Sequence, residues 1–252
     1  SKDYKATKRS RSEVFSNICK RQSMIEDKHI SEVHNEDCMI GMARYPDKWF
    51  DLAVVDPPYG IGEDAAKAAT RVRTSKKWVN PSAPKYTGIG WDKNPMNKDY
   101  FIELKRVSRH QIIWGANHFI ENIPSANSSS WLVWYKTGQT PGCDFADCEL
   151  AYSSHKKAVR YFRFDWVGFG AVNAKENRIH PTQKPVALYD WIYKNYLPQG
   201  GKVIDTHLGS GSNRIAANKA GNIDFVGFEL DKDYYEAQEK RWKGFIAQTR
   251  LF

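Results

Sequence analysis

Short apolar runs are spaced along the chain in a way that predicts buried strands. The run FDLAVV at Phe50–Val55 is almost wholly apolar and is stopped by Asp56-Pro57-Pro58, as expected for a strand covered on both faces of a parallel sheet. Runs of similar length predict further strands at 30–34, 111–114, Trp131–Tyr135, Cys148–Ser153, 202–205 and 225–229. Apolar positions at helical spacing predict helices at 100–107, 186–197, Ser212–Ala220 and 234–247.

The last third of the chain alternates helix and strand without interruption. Gly221 is expected to end the helix at Ser212–Ala220, and Asp231 or Asp233 is expected to cap the final helix. This alternation is typical of βαβ units, so it predicts an α/β fold with a parallel sheet. Because no linker or repeat divides residues 29–252, we expect a single domain there.

Three segments lack this periodicity. Residues 1–28 carry eight Lys or Arg against four acids and are predicted to be a basic N-terminal arm. Residues 60–95 contain many Gly and Pro, which predicts a long basic insertion that is mobile in the absence of a partner. Residues 155–178 are predicted to be a second irregular stretch, rich in aromatic and basic side chains.

The charge of the chain predicts a polyanionic partner. Its 38 Lys and Arg outnumber 29 Asp and Glu, giving a net charge of +9, so nucleic acid is the first candidate and an anionic membrane surface the second. No apolar run approaches the roughly 18 residues that cross a bilayer, and the N-terminal residues lack the apolar core of a secretory signal. The four cysteines contain no CxxC pair, so neither a disulfide framework nor a zinc site is expected. We therefore expect a cytoplasmic protein, with no membrane contact and no bound metal.

A glycine turn lies between the strand at 202–205 and the helix that follows it. Gly209 and Gly211 would let the backbone approach a ligand closely, and the start of the next helix favours negative charge. Glu229 ends the following strand, where an acid typically accepts hydrogen bonds from ribose hydroxyls. A plain tight turn would also use two glycines, but the strand, the helix and the acid together favour an adenosine-type cofactor.

The four residues after the buried strand at Phe50–Val55 point to chemistry on an amine. They are Asp56, Pro57, Pro58 and Tyr59, and they follow the carboxyl end of a strand, where open α/β sheets bind ligands. A carboxylate and a rigid backbone carbonyl can accept both hydrogens of an exocyclic amine, which directs the nitrogen lone pair towards an electrophile. Tyr59 could stack on a planar base. A strand terminator with a buried tyrosine is the alternative.

These motifs together resemble the amino-group DNA methyltransferases that use S-adenosylmethionine. The residues that carry the resemblance are Asp-Pro-Pro-Tyr at 56–59, HPTQKP at 180–185 and DTHLGSG at 205–211. Their order along the chain is circularly permuted and is similar to that of the β group of this family. The resemblance implies a Rossmann-like methyltransferase fold, with a seven-stranded, mostly parallel sheet and helices on both faces.

The resemblance also implies a role for each site residue. Asp56 and the Pro57 carbonyl would accept the two amine hydrogens, Pro58 would stiffen the turn, and Tyr59 would stack on a flipped base. The implied cofactor residues are Asp37 at the adenine, Glu229 at the ribose, and Asp205, His207, Gly209, Gly211, Thr182 and Lys184 towards the glycine loop and the methionine end. His207 either packs as the phenylalanine usual in the family does or has a new role. Lys184 either lines the methionine side or stays solvated at a helix entry.

The substrate implied by the resemblance is adenine N6 in double-stranded DNA. Cytosine N4, an RNA or a protein amide, and a DNA-binding module without activity are the alternatives. The basic and aromatic segments 60–95 and 155–178 are expected to flank the cleft and bind phosphates. Their predicted DNA contacts are Lys76, Lys77, Arg160 and Arg163. The second segment is short for a target-recognition region, and the assembly is left open, with a homodimer among the candidates.

Overall fold

The computed structural model of the protein describes residues 29–61, 94–136, 146–164, 178–180 and 182–249. The strands are β1 (Ser31–His34), β2 (Phe50–Val55), β3 (Ser108–Trp114), β4 (Trp131–Tyr135), β5 (Cys148–Ser153), β6 (Arg160–Arg163), β7 (Gly201–Asp205) and β8 (Ile223–Phe228). The helices are α1 (Cys38–Met42), α2 (Lys98–Val107), α3 (Val186–Tyr196), α4 (Ser212–Ala220) and α5 (Lys232–Thr249).

Helix ends follow the local signals in the sequence. Asp231 accepts hydrogen bonds from the backbone amides of Asp233 and Tyr234 at 2.9 and 3.1 Å, which identifies Asp231 as the cap of α5. Gly221 ends α4 with a φ of +71°, in the left-handed region that glycine adopts without strain. Both helices therefore end or begin where the capping residues predict.

The strands within the described residues form one eight-stranded sheet in the order β1-β8-β7-β2-β3-β5-β4-β6. Neighbouring strands are parallel except where β5 pairs with β3 and with β4. Since β5 runs against the other strands, its amino end lies at the edge where the parallel strands have their carboxyl ends. Residues that follow β2, β4, β7 and β8 therefore share an edge with residues that begin β5.

Helices cover both faces of the sheet, as expected. Leu52 and Val54 of β2 are fully buried in an apolar core that contains residues of α3 and α4. The alternate residues Ala53 and Val55 are buried in a second core with residues of α1 and α2. The α/β class with a mostly parallel sheet is thus confirmed, and β2 lies in its interior.

Within the described residues, the sheet has one strand more than the seven expected. The additional strand β6 lies within 155–178, which the sequence predicted to be irregular, and it pairs in parallel with β4 from Leu132 opposite Arg160 to Tyr135 opposite Arg163. Three of its four residues are exposed and the fourth, Phe162, is half-buried against the apolar core, so its sequence shows no continuous apolar face. It forms because its backbone completes the free edge of β4.

Other segments singled out in the sequence fall outside the description of the structure. The predicted arm at 1–28 and residues 62–93 of the predicted insertion lie outside the described residues. In the parts of the chain that the structure describes, no helix is both long enough and apolar enough to cross a membrane.

Candidate active site

A cavity of about 530 Å³ opens at the edge of the sheet where the parallel strands end. Its walls come from the loops after β1, β2, β7 and β8 and from the segment before α3. Of the residues predicted for the site, it is lined by Asp37, Asp56, Pro58, Thr182, Lys184, His207, Gly209 and Glu229. Its volume lies in the range of roughly 300–1,000 Å³ that is usual for small-molecule sites. The topology therefore brings motifs far apart in the sequence to one site.

Asp56 presents a carboxylate with both oxygens engaged. The Tyr59 hydroxyl donates a hydrogen bond to Oδ1 at 2.6 Å, and Lys184 Nζ lies 2.5 Å from Oδ2. Pro57 is buried, and Pro58 forms part of the cavity wall. Because the two prolines fix their own φ angles, the directions of Asp56 and Tyr59 are set by a stiff turn.

The Tyr59 ring packs against the loop that follows β3. It stacks on His118, with ring centroids 5.0 Å apart and 15° between the planes. Gly115 lies against the same ring, since a Cβ added there would come 2.0 Å from Tyr59 Cε1, and its φ is +67°. Both its backbone conformation and its neighbour thus require glycine at 115. Stacking of Tyr59 on a flipped base stays a prediction.

Lys184 is buried, so the alternative of a solvated lysine at a helix entry is wrong. Its side chain is 2% exposed, and its ammonium is shared between Asp56 and Glu149, whose Oε2 lies 3.0 Å away. Glu149 was not among the predicted site residues. Its signal in the sequence is an acid at the second position of the predicted strand Cys148–Ser153.

The pKa values in this cluster follow from burial and ion pairing. Burial raises the pKa of Asp56, and Lys184 opposes that effect. Burial by itself would lower the pKa of Lys184, but Asp56 and Glu149 outweigh it and raise that pKa. At Glu149, burial is outweighed by Lys184 and Lys136, which lower the pKa to about 2. At neutral pH Glu149 and Lys184 are therefore charged, and the charge on Asp56 depends on Lys184.

Glu229 organises the glycine loop on the cavity wall. Its Oε2 accepts a hydrogen bond from the Gly209 amide at 2.7 Å, and its Oε1 accepts one from the Asp231 amide at 3.0 Å. Burial raises the pKa of Glu229 to about 7, against the effect of these backbone donors. A carboxylate oxygen has two acceptor positions, so each oxygen of Glu229 can still accept a hydrogen bond from a ligand hydroxyl.

Asp205 and Gly211 support this loop from behind and are not part of the cavity wall. Asp205 accepts hydrogen bonds from the His207 amide at 3.1 Å and from the Asn213 side chain at 2.9 Å. Burial raises its pKa to about 7, and Asn213 opposes the rise. Gly211 has a φ of +72°, and a Cβ added there would come 3.2 Å from Oε1 of Gln238. Contact of either residue with a cofactor stays a prediction.

Asp37 and His207 line the cavity and also hold local structure. Oδ1 of Asp37 accepts a hydrogen bond from the Met39 amide at 2.7 Å and so caps α1. The His207 ring meets Tyr100 edge-on, with centroids 5.4 Å apart and 72° between the planes. Burial lowers the pKa of His207 to about 4, so its ring is neutral at pH 7. Of the two alternatives for His207, the packing role fits these contacts.

Two further rings line the cavity and were not predicted as site residues. His180 and Tyr234 lie with ring centroids 4.3 Å apart. Nδ1 of His180 is 3.1 Å from the hydroxyl of Thr182, and burial lowers the pKa of this histidine to about 3. His180 begins the HPTQKP segment, so the sequence did contain its signal.

The structure describes two of the four residues predicted to contact DNA. Arg160 and Arg163 are exposed on β6. Arg163 lies opposite Tyr135 at the active-site edge of the sheet, and Arg160 lies three residues further from that edge. Lys76 and Lys77 lie outside the described residues.

Comparison with known proteins identifies the family of this chain. Residues 50–240, more than half of the sequence, match a family model described as DNA methylase. The chain belongs to the DNA methylase family. This methylase is 23% identical to the type II methyltransferase M2.MboI of Moraxella bovis, over 86% of its own length and 89% of the relative. It is 24% identical to the type II methyltransferase M.ScaI of Streptomyces caespitosus, over 81% and 78% of the two chains.

A solved structure resembles this methylase in fold. The complex of M1.HpyAVI with SAM superposes with a TM-score of 0.50 at 18% identity, covering 83% of this chain and 98% of that one. This likeness confirms the Rossmann-like methyltransferase fold. Family membership makes DNA the substrate class and amino-group methylation the reaction, so the RNA, protein-amide and non-enzymatic alternatives lose their support. The cytoplasmic location and the homodimer stay predictions.

Proposed function

We propose that this methylase transfers a methyl group from S-adenosylmethionine to the exocyclic N6 of an adenine flipped out of double-stranded DNA. The observation that supports the proposal most strongly is the position of Asp56. Its carboxylate, paired with Lys184, lines the same cavity as Gly209 and Glu229. An acceptor for an amine and a loop suited to an adenosine-type cofactor thus share one site.

The cavity residues fit S-adenosylmethionine. M1.HpyAVI forms a complex with this cofactor, and the cavity here has a volume suited to a ligand of that class. Glu229 offers acceptors for ribose hydroxyls, and Asp37 offers one for the adenine amine, because its Oδ1 alone is used in capping α1. When bound, the cofactor supplies an electrophilic methyl group on a sulfonium.

The protein groups around Asp56 would orient the target amine. Asp56 and the Pro57 carbonyl each accept one N–H, so the nitrogen lone pair leaves conjugation with the ring and faces the methyl group. As the N–CH3 bond forms, the S–CH3 bond breaks and the sulfur leaves with the bonding pair as a neutral thioether. The methylated nitrogen then loses one proton, which Asp56, as its hydrogen-bond acceptor, would take. Catalysis of this kind rests on positioning and electrostatics.

The choice of adenine over cytosine rests on the residue at position 56. The resemblance associates Asp at this position mostly with adenine N6 and Ser with cytosine N4. Both bases present an exocyclic amine with two hydrogens, so the acceptors at Asp56 and Pro57 could serve either. The experiment must therefore identify the product base itself.

Mass spectrometry of nucleosides gives that identification. The purified chain would be incubated with duplex DNA and S-adenosylmethionine, and the DNA would then be digested to nucleosides. We expect N6-methyladenine as the product. N4-methylcytosine would contradict the choice of base, and the absence of any methylated base in DNA of varied sequence would contradict the proposed function.

Substitution of Asp56 separates chemistry from cofactor binding. We expect Asp56→Ala to lower the rate of methyl transfer by at least about 100-fold, as loss of one preorganised group in a site often does. Cofactor affinity, measured by calorimetry, should stay within a few-fold, because Asp56 contacts the amine. Asp56→Asn keeps the shape and removes the charge, so it should be similarly impaired. Near-normal turnover of either variant would show that the chemistry assigned to Asp56 is wrong.

A further inference from the structure

The ammonium of Lys184 is surrounded by acceptors in a buried setting. Nζ lies 2.5 Å from Oδ2 of Asp56, 3.0 Å from Oε2 of Glu149 and 3.2 Å from the Tyr59 hydroxyl. It also lies 5.6 Å from the centre of the Trp114 ring. The contacts to Asp56 and Tyr59 are hydrogen bonds, and the contact to Glu149 is an ion pair. The cation is held in one place.

Glu149 links this cation to a second one. Its Oε1 forms an ion pair with Lys136, which follows β4, while its Oε2 faces Lys184. Glu149 reaches the site because the antiparallel strand β5 begins at the active-site edge. The Lys136 amide also donates to the Asp147 carbonyl at 2.9 Å, which ties the ends of β4 and β5 together. Four charges of alternating sign thus run from Asp56 to Lys136.

This arrangement determines how Asp56 faces the reacting groups. Lys184 faces Oδ2, and Oδ1 accepts the Tyr59 hydroxyl at 2.6 Å, so the second acceptor position of Oδ1 is left for the target amine. A buried carboxylate without a partner tends to take up a proton. A protonated Asp56 would no longer stabilise positive charge on the amine nitrogen. The position and the charge of Asp56 both depend on a lysine that is itself fixed by Glu149.

We propose that Lys184 and Glu149 are positioning residues for methyl transfer: Lys184 holds Oδ2 of Asp56 and favours its ionised form, and Glu149 fixes the ammonium of Lys184 so that Oδ1 faces the target amine. This inference rests on the proposed function, in which Asp56 accepts a hydrogen bond from that amine. It assigns Lys184 a role in the chemical step, in addition to its place on the cavity wall.

Other titratable groups near Asp56 do not take over this role. Burial raises the pKa of Tyr59, Tyr100 and Tyr189 well above the usual value, so all three are neutral at pH 7. His180 faces Lys184 and is neutral, with a pKa that burial lowers to about 3. Asp205 has a pKa of about 7 and adds negative charge as the pH rises. It is present in every variant below, so its contribution cancels when variants are compared.

The test compares the pH dependence of methyl transfer in matched variants. Single-turnover rates would be measured with saturating DNA and cofactor for the wild type, Lys184→Met and Glu149→Gln. For Lys184→Met we expect the acid limb of the profile to move to higher pH, because Asp56 loses the cation that favours its ionised form. The expected shift is at least about one pH unit, which corresponds to a tenfold change in the ratio of ionised to protonated Asp56. For Glu149→Gln we expect a lower rate and an acid limb moved to lower pH, because a like charge near Asp56 is gone.

Two readouts do not depend on activity. Titration of 13C-labelled aspartate by NMR should show the ionisation of Asp56 moving in these same opposite directions, without DNA. Cofactor affinity should stay within a few-fold in both variants. Lys219→Met, which breaks the exposed pair with Asp190 on α3, is the matched control and should leave rate and profile unchanged.

The outcomes separate this inference from the proposed function. A wild type without methyl transfer contradicts the proposed function and this role with it. If the wild type is active, two results for Lys184→Met would contradict this inference alone. One is a loss of rate with the pH profile and the Asp56 titration of the wild type, and the other is a loss of cofactor affinity. An unchanged rate and profile in Glu149→Gln would contradict the role of Glu149. If Lys184→Met fails to fold, the charge-balanced double variant Lys184→Met/Glu149→Gln decides, and its acid limb should lie above that of the wild type.

Discussion

Glu229 shows how one side chain can serve both the loop and the ligand. Its carboxylate accepts the amides of Gly209 and Asp231, and burial raises its pKa to about 7. A folded pKa above the ordinary value means that the charged form is disfavoured until the pH exceeds about 7. Ribose hydroxyls donate hydrogen bonds, so they should bind better to the ionised carboxylate. Cofactor binding should then be linked to loss of a proton from Glu229.

We therefore predict that affinity for S-adenosylmethionine rises as the pH increases through about 7. Glu229→Ala should weaken binding by at least about tenfold, because a hydrogen bond to a charged group contributes about 1.5–3 kcal/mol. Glu229→Gln keeps an acceptor for one loop amide but cannot ionise, so it should lose the pH dependence as well. Calorimetry across this pH range is the measurement, with the exposed Glu236→Gln as control. Wild-type affinity in Glu229→Ala would remove Glu229 from the binding site.

The residues of the site differ in how far the sequence could predict them. Asp56 and Glu229 each follow a strand directly, so local order was enough to predict their position at the binding edge. The pairing of Lys184 with Glu149 depends on β5 running antiparallel, which brings its amino end to that edge. No local pattern around residue 149 encodes that direction, so this part of the site required the structure.

At the scale of elements, the same distinction holds for strands and helices. The strands Trp131–Tyr135 and Cys148–Ser153 have the predicted bounds because each carries buried apolar or aromatic residues and is flanked by polar residues. Helix α1 was not predicted, since it is one short turn started by the cap at Asp37. Strand β6 was missed because its pairing with β4 and a single half-buried ring, Phe162, define it. Elements with an apolar face of their own could be predicted, and elements defined by contacts could not.

The loop after β3 carries a prediction of its own. We expect Gly115→Ala to push the Tyr59 ring out of its place, since the added Cβ would come 2.0 Å from Cε1. Methyl transfer should fall at least about tenfold, as small misplacements of reacting groups do, while calorimetric affinity for the cofactor stays within a few-fold. The matched control is Gly221→Ala, which has a similar φ of +71° but nothing within 4 Å of its Cβ.

Both glycine variants adopt a left-handed backbone and should lose roughly 1–2 kcal/mol of stability for that reason. Thermal unfolding would measure this shared loss. If Gly115→Ala and Gly221→Ala lose stability alike but only the first loses activity, the contact with Tyr59 is responsible. Equal activity in the two variants would show that the position of Tyr59 next to Gly115 does not matter for the reaction.

At the scale of the whole molecule, the charge distribution is tied to the position of the cavity. The net charge of +9 predicted a polyanionic partner, and membership in the DNA methylase family agrees with that prediction. Within the described residues, β6 presents Arg160 and Arg163 to solvent, with Arg163 at the edge of the sheet where Asp56 lies and Arg160 three residues back from it. A duplex that delivers a base to the cavity would pass close to this edge. We therefore expect these arginines to meet its phosphates.

We predict that Arg160→Gln/Arg163→Gln weakens DNA binding and makes it less dependent on salt. Each phosphate contact contributes about 0.9 to the slope of log K against log salt concentration, so two contacts should lower the slope by about 1.8. Adding the neutralisation of Lys76 and Lys77 should lower it further, with cofactor affinity unchanged.

The control of equal charge is Lys194→Gln/Lys219→Gln, because these lysines lie together near the carboxyl ends of α3 and α4, away from the active-site edge. Fluorescence anisotropy at several salt concentrations measures both slopes. Net charge acts at long range, but release of ions from the DNA requires close contact. Equal slopes for the two double variants would therefore show that β6 does not touch the DNA. The N-terminal arm should then be tested instead.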